Sequence, residues 1–195
     1  MGPQRRQTLP VLRKGKDPQT GNWVERIYYA GAAENLWGPY AIGYLEWDGS
    51  KWADRSAPVF IANEGWERGS VHEPNLVYAD GMWKIWYVAG SNKDDHLVQC
   101  FAESADGRTV WSKHQIFISP EEKVFDFCVW KNKTGYEAVF LKYGLAVHPY
   151  LRPPVSGGIV CNTPSSNFSD WRQPIQIMTA QIADGVQDYG SPPTN

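Results

Sequence analysis

The chain has 195 residues, a formal net charge of −2 and an isoelectric point near 6.1, so it lacks the basic face of a polyanion binder, and no nucleic-acid partner is expected. Ten Trp, ten Tyr and seven Phe beside 18 Gly and 14 Pro describe short aromatic strands and many punctuated turns, and exclude a fold of long helices. No apolar run reaches the roughly 18 residues of a spanning helix, so no membrane partner is expected.

Met1-Gly-Pro-Gln-Arg-Arg6 lacks the apolar stretch of a secretory signal. A soluble chain is expected, cytoplasmic, or secreted if an N-terminal segment is missing. The basic start (Arg5, Arg6, Arg13, Lys14, Lys16) reads as a solvated terminus. A hairpin over 14–22 leads into a first aromatic strand, Ile27-Tyr28-Tyr29-Ala-Gly. A third strand follows at 41–47, then a turn with a Trp, Asp48-Gly-Ser-Lys-Trp52, then a short fourth strand at 57–61.

The next unit is the clearest. Two β-prone runs in 71–90 flank Asp80-Gly81, a type I′ hairpin signal because both central residues of that turn need φ > 0. In its return strand Trp83, Ile85 and Tyr87 share one face, while Trp86 and Val88 share the other. A strand apolar on both faces is covered on both sides. Strands at 98–104 and 115–118 follow, with Asp106-Gly-Arg-Thr-Val-Trp111 between them. The third unit repeats the order: a hairpin near 132–135, Ala138-Val139-Phe140-Leu141, an irregular Pro-rich stretch at 142–154, a strand at 158–162, and Ser169-Asp170-Trp171. Cys100, Cys128 and Cys161 sit in apolar runs without metal spacing and read as buried free thiols.

The aromatic strands and the turn-Trp markers both recur with a period of about 60 residues, and four antiparallel strands per repeat is the pattern of a propeller blade. The expected fold class is therefore all-β, a β-propeller of four-stranded antiparallel blades. The units lie near 9–61, 71–118 and 124–178, and a further blade starts at 188–195 with Tyr189-Gly-Ser-Pro192. Three blades do not close a ring, so the chain reads as part of a longer propeller with open apolar edges, or one capped by a partner. Its oligomeric state is left open.

Glu73 precedes Tyr87 by the same fourteen residues that separate Asp126 from Phe140, so the two acids occupy one site in neighbouring blades. The first strand of a blade lines the central channel, and paired carboxylates in one pocket are the apparatus of glycoside hydrolysis. The competing reading is an acid that caps backbone N–H groups at a strand start. Trp37, Tyr40 and Trp66 lie in loops and are candidates to stack on a sugar face. Trp130 is a further substrate-binding candidate, although its strand spacing also suits core between blades, as for Trp83 and Trp86. His72, beside Glu73, is a candidate to contact substrate, bind a metal or tune the acid, against the ordinary reading of a lone hydrogen-bonded His. No cofactor and no resident metal are expected.

Glu73-Pro-Asn-Leu-Val-Tyr-Ala-Asp-Gly-Met-Trp-Lys-Ile-Trp-Tyr87, with Ala102-Glu-Ser-Ala-Asp-Gly107 and Trp111, resembles the blade consensus of the five-bladed β-propeller glycoside hydrolases, the arabinanase, β-xylosidase and invertase superfamily. The resemblance covers most of the chain, from about Val24 to Trp171. It implies a five-bladed fold, a carbohydrate substrate and cleavage of glycosidic bonds by three acids from successive blades. Glu73 matches the acid-Pro motif, and Asp126 matches the funnel acid of the next blade. The family order is Asp, Asp, Glu, whereas here Glu73 comes first. The preceding blade has Leu9-Pro10 at the acid-Pro position, with Asp17-Pro18 as the alternative match. Asp188 is the candidate third acid. The alternative function is a non-catalytic propeller that binds a carbohydrate or a protein.

Overall fold

The computed structural model describes residues 10–32, 39–54, 57–91, 96–115, 123–133, 135–143, 157–162 and 175–180. For 91, 96–97, 114–115, 123–127, 139–143, 157–162 and 175–180 only the backbone is described. Among the described residues twelve strands form three four-stranded antiparallel sheets, each with its strands in sequence order. The first holds β1 (Val11–Lys16), β2 (Trp23–Ala32), β3 (Tyr40–Trp47) and β4 (Trp52–Asp54). The second holds β5 (Val71–Ala79), β6 (Met82–Ser91), β7 (His96–Ser104) and β8 (Ser112–Gln115). The third holds β9 (Lys123–Lys131), β10 (Tyr136–Tyr143), β11 (Gly157–Asn162) and β12 (Ile175–Ala180). Among the described residues the helical structure is one 3₁₀ turn, Gly65–Glu67, and no helix is long and apolar enough to cross a membrane. These three sheets are blades of a β-propeller.

Turn chemistry sets where each strand reverses. Asp80 and Gly81 both take positive φ, 57° and 78°, as a type I′ hairpin requires. The first hairpin turns over 17–22: the Asp17 amide donates to the Asn22 carbonyl at 2.9 Å, and the Asp17 carboxylate caps the amides of Gln19 and Thr20. Asp48 and Asp106 open equivalent turns in the first two blades. Each carboxylate accepts the amides two and three residues on, Ser50 and Lys51 in one and Arg108 and Thr109 in the other. The outer strands differ from the sequence reading. β4 begins at Trp52, and 57–61 contributes one bridge, Phe60 to Ile42, because Pro58 has no N–H and the segment leaves the sheet edge. β8 ends at Gln115, and 116–118 lies outside the described residues.

The core is the contact between the first two blades. Tyr28, Ala30, Ile42 and Tyr44 of the first meet Leu76, Trp83, Ile85, Tyr87 and Cys100 of the second, all buried. Two glycines allow the sheets to approach. A Cβ on Gly15 would lie 2.4 Å from Trp83 Cζ2, and one on Gly107 would lie 2.7 Å from Tyr28 Oη. Arg26, fully buried, bridges the same interface: its guanidinium donates to Glu46 at 2.8 Å and to the Asp106 carbonyl, and stacks on Trp83 at 4.8 Å. On the opposite face of β6, Trp86 packs against Phe101 and, across to the third blade, Tyr136, at 5.1 and 5.8 Å between centroids.

Two sequence expectations are corrected. Cys128 is exposed whereas Cys100 is buried, because Cys128 stands on β9, the edge strand of its sheet. Trp130 is 38% exposed rather than interblade core. It lies at the hairpin end of β9, where its Nε1 donates to Glu137. Cys161 is described by its backbone only.

Candidate functional site

The first strands of the three sheets, β1, β5 and β9, are each a sheet edge, and β5 packs against both of the others. Glu73 is the third residue of β5. The ladder runs Val71 to Ala89 and His72 to Val88, then resumes at Asn75 to Trp86, so Glu73 and Pro74 together face the single residue Tyr87. This is a β-bulge, and its cause is local: Pro74 has no N–H to give the ladder and cannot occupy a regular paired position. Glu73 takes the strain, with φ at +52°, a conformation that costs a non-glycine residue about 1–3 kcal/mol and persists where surrounding structure imposes it.

β9 carries the same device. Its ladder runs from Cys128–Val139 to Phe125–Leu141, so Asp126 and Phe127 face the single residue Phe140. The equal spacing seen in the sequence is thus a structural equivalence: both acids are the first residue of a two-residue bulge, opposite the same aromatic position, on adjoining strands. Bulges cluster beside active sites because they re-aim a side chain out of the pleat.

The Glu73 carboxylate is half-buried. Its Oε1 lies 3.6 Å from His72 Nδ1, and its Oε2 is buried without a hydrogen-bond partner among the described residues. An oxygen held from water and left unpaired argues against the capping role, which would satisfy it. His72 is buried at 5% exposure, and the Tyr40 ring packs on it at 5.6 Å. The Tyr40 amide donates to Ser70 Oγ, which pins the end of β3 to the start of β5. Tyr40, His72 and Glu73, three separate sequence candidates, are therefore one cluster.

Behind the bulge, Tyr87 is held from both ends. Its hydroxyl donates to Glu67 Oε1 at 2.8 Å, and burial, with the nearby Cys100 and Glu67, pushes its pKa well up, so it remains a donor. Glu67 is fully buried and accepts Lys113 Nζ on both oxygens at 2.8 Å and the amides of Asn63 and Glu64. The Tyr87 carbonyl, which belongs to the β6 residue that the bulge takes out of the ladder, accepts Gln99 Nε2 at 3.1 Å. Ties to the neighbouring blades lie just below the bulge. Arg13 Nε donates to the Leu76 carbonyl, and Asn75 Oδ1 accepts the Val129 amide at 3.0 Å.

The remaining sequence candidates lie elsewhere. Trp66 sits in the 3₁₀ turn Gly65–Glu67 and packs, partly buried, on the interblade core. Trp130, four residues past Asp126, is about 13 Å farther along β9 at the rise of an extended strand. Asp17 belongs to the first hairpin turn, at the other end of β1 from Pro10, and its carboxylate accepts Arg108 at 3.1 Å. That excludes Asp17-Pro18 as the first blade's match to Glu73-Pro74. Trp37 and Asp188 lie outside the described residues, and Asp126 is described by its backbone. Among the described residues no group of three or more His, Cys, Asp or Glu side chains is arranged to hold a metal. The Glu67–Lys113 pair, Gln99 and Asn75 escaped the sequence reading. Asn75 carried the one usable signal, since Asn is depleted from strands unless its carboxamide has a partner.

No protein-family model matches the sequence, and no curated protein matches it. Solved structures do. A family 117 glycoside hydrolase from the marine bacterium Zobellia galactanivorans aligns with a TM-score of 0.61 at 15% identity, over 90% of this chain and 57% of that one. A second glycoside hydrolase aligns at 0.64 and 13% identity, over 87% and 56% of the two chains. A glycosyl hydrolase from Bacteroides ovatus aligns at 0.55 and 15% identity, over 87% and 57%. The chain thus spans a little over half the length of these structures, and what it shares with them is the fold.

Proposed function

We propose that the protein is a glycoside hydrolase whose reacting carboxylates include Glu73 and Asp126 at the mouth of the propeller channel. The observation that carries this reading is the repeated bulge: two neighbouring inner strands each spend an extra residue on an acid, at the same position opposite an aromatic side chain. Capping requires no such device. The strain at Glu73 and its unpaired oxygen agree, because strained backbone and unsatisfied polar atoms collect at functional sites. The three solved structures named above are glycoside hydrolases, which supports a carbohydrate substrate.

In this mechanism one carboxyl donates a proton to the leaving glycosidic oxygen, while the other attacks the anomeric carbon or activates a water. The two stand about 5–10 Å apart, and the separation decides between retention and inversion. Tyr40 and His72 line the approach to Glu73 and take substrate hydroxyls or a sugar face, and Asp188 is the candidate third acid. Trp37, Trp66 and Trp130 are secondary substrate contacts.

The test is hydrolysis of a panel of aryl furanosides and pyranosides by the full-length protein, with Glu73→Gln and Asp126→Asn in parallel. Each variant is expected to lose on the order of 10² to 10⁴ in rate with its fold intact. Wild-type turnover in either variant returns that residue to a structural role. A second reading, a non-catalytic carbohydrate-binding propeller, is favoured by Leu9 before Pro10, where the first blade would carry an acid. Glycan binding by the wild type without any turnover would select it.

A further inference from the structure

We propose that Asn75 is a positioning residue that holds the Glu73 strand and the Asp126 strand in catalytic register; the role rests on the glycosidase reading above. β5 and β9 belong to different sheets, so no ladder fixes one against the other. Asn75 stands two residues past Glu73, and Cys128 and Val129 stand two and three residues past Asp126. The Asn75 carboxamide accepts the Val129 amide at 3.0 Å through Oδ1, and its Nδ2 faces Cys128 Sγ at 3.7 Å. On both strands this link comes directly after the bulge that carries the acid. A shift of β9 along or away from β5 therefore breaks the link and separates the acids together.

The surroundings make this link stiff. Asn75 is 7% exposed and Val129 is 1% exposed, so water does not compete for the hydrogen bond. β9 is an edge strand, and its free N–H groups need partners from outside its own sheet. Asn75 supplies one of them at the level of the site. The further polar ties between these blades among the described residues, Lys131 and the Tyr136 hydroxyl to Asp80, sit at the hairpin end, where the Asp80 side chain is 60% exposed, and leave the level of the site to Asn75. Asn75 touches neither reacting atom in this scheme. It acts through the placement of Asp126 against Glu73.

The experiment compares Asn75→Leu and Asn75→Asp with wild type in the full-length protein, using kcat, KM and hydrogen exchange at the Val129 amide. Asn75→Leu keeps the volume and removes both polar atoms. It is expected to lower kcat on the order of 10²-fold, the cost of about 1 Å of misplacement, to leave KM within a few-fold, and to speed exchange at Val129. Asn75→Asp keeps the acceptor for that amide, and is expected to recover most of kcat and the Val129 protection. Should Asn75→Leu not fold, Asn75→Ala is judged by the same criteria. Wild-type kcat in Asn75→Leu, a loss confined to KM, or no recovery in Asn75→Asp overturns the proposal. If the wild type hydrolyses nothing, the glycosidase reading fails by itself. Exchange then decides the strand tie: faster exchange at Val129 in Asn75→Leu upholds it, and unchanged exchange overturns it.

Discussion

Replacing Glu73 with glycine should make the protein more stable while it destroys the proposed site. The left-handed conformation at φ +52° costs a residue with a Cβ about 1–2 kcal/mol, and glycine relieves it. The buried Oε2, unpaired among the described residues, costs a further ~1–3 kcal/mol, and it leaves with the side chain. Against these gains, glycine adds backbone freedom to the unfolded chain worth about 0.5–1 kcal/mol. The balance is a net stabilisation of about 2 kcal/mol, or a rise in Tm of about 4–8 °C for a chain of this size. Glu73→Ala removes the orphaned oxygen but keeps the strain, so its Tm should fall between those of wild type and Glu73→Gly. Thermal unfolding of the three proteins under one buffer condition gives the order, and the hydrolysis panel run beside it reads the loss of activity. A Glu73→Gly protein less stable than wild type would refute the reasoning, because it would show that the carboxylate earns its place as a structural cap. The order also separates function from packing: residues kept for chemistry are those whose removal relaxes the fold.

Three further outcomes follow from the same geometry. Gly15→Ala drives a Cβ into the buried Trp83 ring, whose Nε1 is anchored on the Lys16 carbonyl at 3.2 Å, and should cost about 1–3 kcal/mol in chemical denaturation; Gly65→Ala, with nothing within 4 Å of its Cβ, should stay within about 0.5 kcal/mol of wild type. Lys113→Met leaves the fully buried Glu67 charge without its ion pair and should destabilise by about 3–5 kcal/mol, most of it recovered in the Lys113→Met/Glu67→Gln double variant, as measured by a denaturant double-mutant cycle. Burial alone would raise the Asp106 pKa, but the amides of Thr109 and Arg108 and the hydroxyls of Thr109 and Ser104 hold it well below the usual carboxylate range. Its ionised form therefore stabilises the fold fully above the unfolded carboxylate pKa of about 3.9, and the stability gap to Asp106→Asn should close as pH falls below that value in a pH series of unfolding curves.

The sequence by itself determined the repeat, the hairpins and the pairing of the two acids. Asp80-Gly81 dictates its turn because few residues tolerate φ > 0, and strand reversal there needs no help from the rest of the molecule. The equal spacing of Glu73 and Asp126 from Tyr87 and Phe140 survives in three dimensions because every intervening residue belongs to one hairpin, whose register is local. Other features are properties of contacts between blades, and no local pattern encodes them. Trp83 and Trp86 are buried while Trp130 is exposed, although all three sit in aromatic strands, because β6 is covered on both faces whereas Trp130 lies at the hairpin end of the edge strand β9. The first blade's fourth strand is Trp52–Asp54 rather than 57–61, where Pro58 limits the pairing to the Phe60–Ile42 bridge and the Phe60 ring packs against Tyr87 and Trp111 at 4.6 and 5.3 Å. Asp17 looked like an acid-Pro match until β1 placed it at the far end of the strand. The side chains of Arg26 and Lys113 are buried because the neighbouring blade supplies the Asp106 carbonyl to Arg26 and the interblade turn supplies Glu67 to Lys113. Asn75 belongs with them. Its carboxamide has meaning only once β9 lies against β5, since its hydrogen bond to Val129 joins residues 54 apart in the chain, and spacing along the sequence cannot express it.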